Sequence, residues 1–223
     1  MITFNGCKMN KPYLKKIKEV EGFTIWEVNG KYIRDNLDRE FTNFGQHYRF
    51  PFIPKHEFWI DHEAHPGETK FFVDHMIIEW HLMDEGKTYN YAIGVADKKE
   101  LAERKKFRAD PKKLYIKKLE ERGEVTVWLV DGELVRDLYY IEFTEGGHHY
   151  VYDFVPKYEV WLDDDLETSE LPYVLLHELH ERNLMHTGLT YNHAHHSSSI
   201  IEYKCRRDPS KLKECIDQEV ERK

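Results

Sequence analysis

The chain has 223 residues, enough to bury one or two cores, and its aromatic content of 14% favours packed β structure over disorder. A formal net charge of -8 and a pI near 6.0 exclude a general attraction to polyanions, so nucleic acid is not expected as a partner. No apolar run approaches the roughly 18 residues that cross a bilayer, and the N-terminus lacks an apolar signal core, so no membrane partner is expected.

The dominant feature of the sequence is an internal duplication. Residues 22–104 return at 124–206 with a constant offset of 102 and no gap, and about 30 of the 83 aligned positions are identical. The two copies therefore serve as controls for each other. We interpret residues that both copies keep as necessary for folding, and residues that only one copy keeps as candidates for chemistry.

In chain order, helices are predicted before, between and after the two repeats. Asp110-Pro111 and Asp208-Pro209 have the arrangement of an N-cap followed by Pro in the first helical turn, and Asn10-Lys11-Pro12 repeats it more loosely. The N-terminal, linker and C-terminal helices are predicted over residues 1–21, 105–123 and 207–223.

Each repeat is predicted to open with a β-hairpin. The segment VTVWLV-DG-ELVRD has apolar runs on both sides of Asp131-Gly132, which is a signal for a two-residue turn, and Asn29-Gly30 takes its place in the first copy. Further antiparallel strands are expected in HYVYDFVPKYEVWLD, interrupted at Pro156.

The period then changes from two residues to three or four, which indicates helices. In the second copy LPYVLLHELHERNLM is predicted to form a helix that Gly188 ends, and a second helix begins with Thr190 as its N-cap. The sequence thus predicts an α+β fold built as a tandem internal duplication. Each repeat is a β-hairpin plus further antiparallel strands, followed by two helices.

The segment His177-Glu178-Leu179-His180-Glu181 in the second repeat is the best candidate for chemistry. His177 and Glu181 are four residues apart, so their side chains share one face of the predicted helix and can reach one metal ion. Glu178 lies about 100° around the same turn, close enough to act on a metal-bound water.

This motif, the strand EVWLD before it and the helix after it resemble minimal zincin-type metallopeptidases over about 45 residues, from Glu159 to Arg206. The motif of those enzymes is H-E-x-x-H, and this chain has the variant H-E-x-x-E. The resemblance implies that His177 is the first metal ligand and Glu178 the catalytic general base. It gives Glu181 the position of the second ligand, with a carboxylate donor in place of an imidazole.

A third ligand is expected from the helix that follows. His195 and Glu202 lie seven residues apart, two turns along one face, and Glu202 follows Glu181 by 21 residues, a separation compatible with the Glu ligand of gluzincins. His149, in the glycine-containing loop, is a further candidate for this position. We expect zinc or another divalent metal as the cofactor.

The first repeat keeps only part of this set. The shared positions are His75, Glu79 and Glu100 in the first copy and His177, Glu181 and Glu202 in the second. Apolar residues replace three others: Met76, Ile78 and Ile93 stand in place of Glu178, His180 and His195. The first repeat, 22–104, is therefore interpreted as degenerate, and the second, 124–206, as the one that holds the site.

A structural interpretation of the shared residues remains open beside the catalytic one. A His and a Glu four residues apart on a helix can also form a charge-assisted hydrogen bond. Glu100 and Glu202 would then bond another shared group, such as Arg34 and Arg136.

Two classes of function follow. The first is a metal-dependent hydrolase, with peptidase activity implied by the resemblance, acting on an unknown protein or peptide substrate. The alternative is a non-enzymatic binding or structural protein that uses the duplicated lobes as an interaction surface, with Trp and Tyr as contacts. Cys7, Cys205 and Cys215 follow no metal or disulfide spacing and are interpreted as the reduced thiols of a cytoplasmic protein. The sequence predicts no particular oligomeric state.

Overall fold

The computed structural model of the protein describes residues 12–106 and 110–221. It divides into two compact units, unit 1 (Met1–Glu103) and unit 2 (Arg104–Lys223). Each unit holds a four-stranded sheet and its own helices, so the α+β class and the tandem duplication are confirmed. None of the helices in the described part of the chain has both the length and the apolar composition needed to cross a membrane.

The elements of the first repeat follow one another as two strands, a short helix, two more strands and two long helices. They are β1 Tyr13–Val20, β2 Phe23–Val28, α1 Gly30–Asn36, β3 Phe44–Gln46, β4 Glu57–Asp61, α2 Thr69–Asp84 and α3 Tyr89–Arg104. The sheet has the order β1-β2-β4-β3.

Unit 2 repeats this series and adds one helix at its end. Its elements are β5 Tyr115–Arg122, β6 Val125–Val130, α4 Gly132–Leu138, β7 Gly146–His148, β8 Glu159–Asp163, α5 Leu171–His186, α6 Tyr191–Arg207 and α7 Leu212–Glu221. The two helices predicted for the second repeat are confirmed, with Gly188 at φ +95° after α5 and Thr190 as the N-cap of α6. The predicted C-terminal helix is found as α7.

The predicted hairpin turn at Asp131-Gly132 is wrong, because these residues begin a helix. Asp131 is the N-cap of α4, and its Oδ1 accepts a hydrogen bond from the backbone N–H of Leu134 at 2.8 Å. Asn29 caps α1 in the same way. The shared glycine is explained by space, since a Cβ on Gly132 would lie 2.1 Å from Oδ1 of Asp163.

The helices predicted over 1–21 and 105–123 are wrong where the structure describes these residues. Residues 1–11 lie outside the described part, and β1 follows them as a strand. Asp110 does act as a cap, but the helical turn after it covers only Pro111–Lys113, and β5 comes next. The hairpin of unit 2 therefore joins β5 to β6 through Gly123, at φ +60°. In the sequence, the exposed lysines of these edge strands resemble the polar face of a helix, and this led to the wrong prediction.

The pairing of β6 with β8 is parallel, whereas further antiparallel strands were predicted. The connection between them contains α4 and β7, long enough for the crossover that parallel strands require. Only β7 pairs with β8 in the antiparallel direction. Unit 1 has the same arrangement.

Each sheet is packed on both faces, and strand alternation divides the side chains between two cores. On β8, Val160 and Leu162 belong to the core beneath α5, whereas Trp161 belongs to the core formed with α4 and the following loop. The sheet thereby fixes α5 above the end of β7, where the candidate residues meet.

A buried ion pair ties the short helix of each unit to the end of its parallel strand. Arg136 on α4 donates to the carboxylate of Asp163, and Arg34 donates to Asp61 at 2.8 Å in unit 1. These side chains are at most 2% exposed. Glu202 bonds His177 and Arg206, so the expectation that it bonds Arg136 is wrong.

Candidate metal centre

Three elements bring the candidate residues of unit 2 together. His177, Glu178 and Glu181 lie on α5, and α6, which packs along α5, supplies His195 and Glu202. The short strand β7 lies next to α5 and contributes His148, which was not predicted as a site residue.

The donor atoms of His177, Glu181 and His195 form a compact triangle, called here the donor triangle. His195 Nδ1 lies 2.9 Å from Glu181 Oε2 and 3.1 Å from His177 Nε2, and His177 Nε2 lies 3.7 Å from Glu181 Oε2. Metal–ligand bonds of about 2.0–2.1 Å at tetrahedral angles separate the ligand atoms by about 3.3 Å. The three donors therefore have the spacing of one face of a tetrahedral zinc site.

Glu202 stands behind His177 and outside the donor triangle. Its Oε2 lies 2.8 Å from Nδ1 of His177, the ring nitrogen opposite the one in the triangle, and its Oε1 accepts a hydrogen bond from Arg206 Nε at 2.8 Å. Arg206 in turn donates to the buried Glu170 at 2.7 Å. A carboxylate on the second nitrogen of a ligating histidine fixes its tautomer and orientation, so Glu202 is placed to orient His177.

The charges of this cluster stabilise one another. Burial lowers the pKa of His177, but the nearby carboxylate of Glu181 and the hydrogen bond to Glu202 outweigh burial and raise that pKa well above 6.5. Burial raises the pKa of Glu181, but the three surrounding histidines, of which His195 is hydrogen-bonded to it, overcome this effect and hold the pKa far below its usual range. In the structure as it stands, the cluster is therefore a network of ion pairs.

The second half of the site is formed by Glu178 and the unpredicted His148. Burial and the nearby charge of Glu181 raise the pKa of Glu178 to about 8. His148 Nε2 lies 3.2 Å from Glu181 Oε1 and 4.0 Å from Glu178 Oε2. This nitrogen is fully buried and has no hydrogen-bond partner among the described residues, and burial lowers the pKa of the ring. The Nδ1 atom of His148 accepts a hydrogen bond from the backbone N–H of Tyr150 at 3.2 Å, so a neutral ring carries its proton on Nε2, facing the two carboxylates. His148, Glu178 and Glu181 form a second group of close donor atoms, which shares Glu181 with the donor triangle.

His149, the predicted loop candidate, lies apart from the donor triangle. Its ring packs on Tyr150 with centroids 4.0 Å apart. Burial, followed by the positive charge of Arg182, lowers its pKa to about 4. The signal for His148 was present in the sequence, because Gln46 stands at its position in the first copy.

His180, which stands where the first copy has Ile78, connects α5 to α6 and α7. Its Nδ1 lies 2.8 Å from Glu219 Oε1 on α7, and its Nε2 lies 2.9 Å from Ser197 Oγ on α6. Farther along the chain, His193 Nδ1 lies 2.8 Å from Thr190 Oγ1 at the start of α6. Neither side chain contributes to the donor triangle.

Unit 1 keeps the shared His–Glu–Glu set under an apolar cover. His75 Nδ1 lies 2.9 Å from Glu100 Oε2, and its Nε2 lies 3.5 Å from Glu79 Oε2. Phe44 packs edge-on against the His75 ring, with centroids 5.3 Å apart, and Met76 is fully buried beside it.

Four replacements turn this covered set into the site of unit 2. They are Gly146 for Phe44, His148 for Gln46, Glu178 for Met76 and His195 for Ile93. The freed volume is taken up by Glu178, since a Cβ on Gly146 would lie 3.2 Å from its Cγ. The His177 side chain is 12% exposed against 5% for His75, and His195 is 34% exposed, so the triangle can be reached from solvent.

The three consecutive aspartates after β8 also bring carboxylate oxygens close together. Asp163 and Asp165 pair with Arg136, and Asp164 Oδ1 accepts a hydrogen bond from the backbone N–H of Gly132 at 3.1 Å. These contacts account for the cluster without a metal ion.

No protein-family model, no curated protein and no solved structure matches this chain. The resemblance of the segment Glu159–Arg206 to zincin-type metallopeptidases therefore stays a prediction. The residues of unit 2 alone carry the functional interpretation.

Proposed function

We propose that this protein is a metal-dependent hydrolase with one active site, in unit 2. The observation that carries the proposal is the donor triangle of His177, Glu181 and His195, whose sides measure 2.9, 3.1 and 3.7 Å. Zinc or another divalent ion would be held by these three donors, which leaves a fourth coordination position open for water or substrate. Shifts of a few tenths of an ångström would bring the donors to ligand spacing.

The surroundings of the triangle support this proposal. Glu202 and Arg206 orient His177 from behind, as carboxylates commonly do for metal-bound histidines. The partial exposure of His195 gives the site an opening to solvent.

Glu178 is the residue we assign to proton transfer. A divalent ion at this site would act as a Lewis acid and make water acidic enough to attack near neutral pH. The positive charge of the ion would lower the pKa of Glu178 and favour its ionised form. The Glu178 carboxylate would then accept a proton from the attacking water as the water oxygen bonds to the carbonyl carbon of the substrate. The same carboxyl would return the proton to the leaving group as its bond to that carbon breaks. Peptide bonds are the substrate class that the zincin resemblance favours.

The first test is the metal content of the purified protein, measured by mass spectrometry after dialysis against zinc. Unit 1 provides the matched control, because His75 occupies the position of His177 under an apolar cover. We expect about one ion per chain in the wild type and in His75→Ala, and none in His177→Ala. His195→Ile, which installs the residue of unit 1, should also lose the ion and guards against misfolding of His177→Ala.

The second test separates catalysis from metal binding. Glu178→Gln should keep the ion but lose hydrolysis of a fluorogenic peptide library, because the amide cannot accept the proton. Absence of stoichiometric metal in the wild type would overturn the whole proposal. A metal-loaded protein without Glu178-dependent hydrolysis would overturn the enzymatic part and leave a metal site of another kind.

A non-enzymatic binding or structural role is the second candidate, and a different observation favours it. In both units the shared histidine is already bonded internally, His75 to Glu100 at 2.9 Å and His177 to Glu202 at 2.8 Å. None of the tryptophans is exposed, so exposed tyrosines such as Tyr139 and Tyr140 would supply the contacts instead. A protein that takes up no metal would direct the search to this role.

A further inference from the structure

A cavity of about 570 Å³ opens in unit 2 on the side of α5 opposite the donor triangle. At about 100° per residue, His186 lies about 180° around the helix from His177, so the cavity is separate from the metal centre. Its volume is within the range of small-molecule pockets, about 300–1,000 Å³. The lining residues that matter here are Tyr150, Lys157, Tyr158, Arg182, Asn183 and His186.

The matching place in unit 1 is filled by an aromatic side chain. Trp80 stands there in place of Arg182 and is 5% exposed. Its ring lies 4.9 Å from that of Phe23, centroid to centroid, and its Nε1 donates a hydrogen bond to the carbonyl oxygen of Lys55 at 2.9 Å. The space that the Trp80 ring fills in unit 1 is therefore open in unit 2, where the charged Arg182 replaces the tryptophan.

The charge balance of this place changes in the same direction. In unit 1, Lys55 Nζ pairs with Asp84 Oδ1 at 3.0 Å. In unit 2 the matching lysine is Lys157, but His186 stands where the carboxylate would be, and its Nδ1 lies 2.7 Å from the hydroxyl of Tyr150. Across the whole lining, the carboxylate of Asp84 is lost and two guanidinium groups, Arg122 and Arg182, are added. Two carboxylates, Glu124 and Glu219, are added as well, and they offset part of this gain in positive charge.

Not all of the hydrogen-bond donors of Arg182 have an acceptor among the described residues. Its Nε is buried and has no hydrogen-bond partner among the described residues, and its Nη1 reaches only Asn183 Oδ1, at 3.5 Å. Of the two carboxylates that line the cavity, Glu219 is engaged by His180 and Asn183, and Glu124 is exposed at the rim. A planar guanidinium with unused donors suits a bidentate oxyanion.

We propose that this cavity binds a small organic anion through its carboxylate or phosphate group, with Arg182 as the principal contact and Lys157 at the rim. The rings of Tyr150 and Tyr158 offer apolar surface to the remainder of the ligand. The assignment uses no residue of the donor triangle and stands apart from the proposed hydrolase function.

The test is calorimetric titration of the full-length protein with inorganic phosphate and, separately, with citrate, against sodium chloride at equal ionic strength. We expect saturable binding of at least one anion, and the better of the two identifies the phosphate or carboxylate preference. Arg182→Gln should weaken binding at least about tenfold, because it removes charge-assisted hydrogen bonds. Arg182→Trp introduces the residue that fills this space in unit 1, and it should abolish binding.

Arg207→Ala is the matched control, since Arg207 is an exposed arginine outside the cavity. Its affinity should equal that of the wild type. The proposal is overturned if neither anion binds saturably, if Arg182→Gln binds as the wild type does, or if Arg207→Ala loses as much affinity as Arg182→Gln. Arg182→Gln decides the outcome on its own if Arg182→Trp does not fold.

Discussion

Unit 1 and unit 2 place the same His–Glu–Glu set between corresponding helices, yet they treat it in opposite ways. In unit 1 the ring of Phe44 covers His75. In unit 2 a glycine at that position leaves room for Glu178, and His195 adds a donor from α6. The buried set is thus compatible with folding alone, and only the residues around it distinguish a covered ion-pair network from a reachable group of metal donors.

The opposite face of the same helix gives a parallel contrast. Trp80 closes the space in unit 1, and Arg182 leaves a cavity in unit 2. On both faces of α5, unit 2 has exchanged apolar volume for polar groups. The duplication therefore separates what the fold requires from what unit 2 has added to it.

The largest expected effect concerns what the two units share. Arg34→Met and Arg136→Met should each destabilise their own unit by about 3–5 kcal/mol, because each leaves a buried carboxylate without its partner. Chemical denaturation monitored by hydrogen exchange can assign each loss to one unit.

A surface pair provides the control for these two changes. Arg39 and Glu40 are partly exposed, so Arg39→Met should cost no more than about 1 kcal/mol. A loss of similar size in Arg39→Met would show that burial is not the reason these pairs stabilise the protein. A loss in only one of the two buried variants would show that the two pairs do not support their units equally.

The next effect is a pH dependence in unit 1. Burial lowers the pKa of His75, but Glu100 and Glu79 outweigh burial and raise it from 6.5 to about 9. A pKa raised on folding stabilises the folded state fully below pH 6.5, and the contribution disappears as the pH rises through 9. The stability difference between wild type and His75→Gln should therefore shrink by about 3 kcal/mol between pH 6 and pH 9.5.

NMR titration of the His75 ring checks the same point directly. An apparent pKa near 9 is expected. A value at or below 6.5 would mean that burial, and not ion pairing with Glu79 and Glu100, determines the pKa of His75.

The smallest effect tests the exchange of Phe44 for Gly146. Gly146→Phe should cost about 1–3 kcal/mol, because a side chain there would press on Glu178 and Val174. Adding Glu178→Met, which recreates the apolar neighbours of unit 1, should recover part of that loss. A double-mutant cycle measures this coupling, and strictly additive losses would show that the two positions do not share one space.

The long helices could be predicted from the sequence because several local signals agreed. The periodicity of α5 and the positive φ that Gly188 permits agree on where that helix ends. The N-cap position of Thr190 marks where α6 begins. His177 and Glu181 could be paired for the same reason, since helical spacing fixes which residues share a face. His195 was one of three candidates for the third donor, and only the packing of α6 along α5 brings it to them.

The remaining errors arose where one residue type serves two structures. Asp131-Gly132 fits a two-residue turn as well as it fits a helix N-cap, and only tertiary contact with Asp163 decides between them. His148 was overlooked because a ligand on a three-residue strand has no periodic spacing to reveal it. His180 looked functional because its partner, Glu219, lies on α7, outside the repeated sequence.

The lysines on the outer strands β1 and β5 have a consequence for how this duplicated chain avoids misfolding. Two similar sheets in one molecule present similar unpaired edges, which invites strand exchange or the addition of one chain to another. Exposed lysines at Lys15 and Lys16 on β1, and at Lys117 and Lys118 on β5, place positive charge on each of these edges. Like charges repel when one edge approaches the other, so the same side chains that obscured these strands in the sequence would keep newly made chains from aggregating.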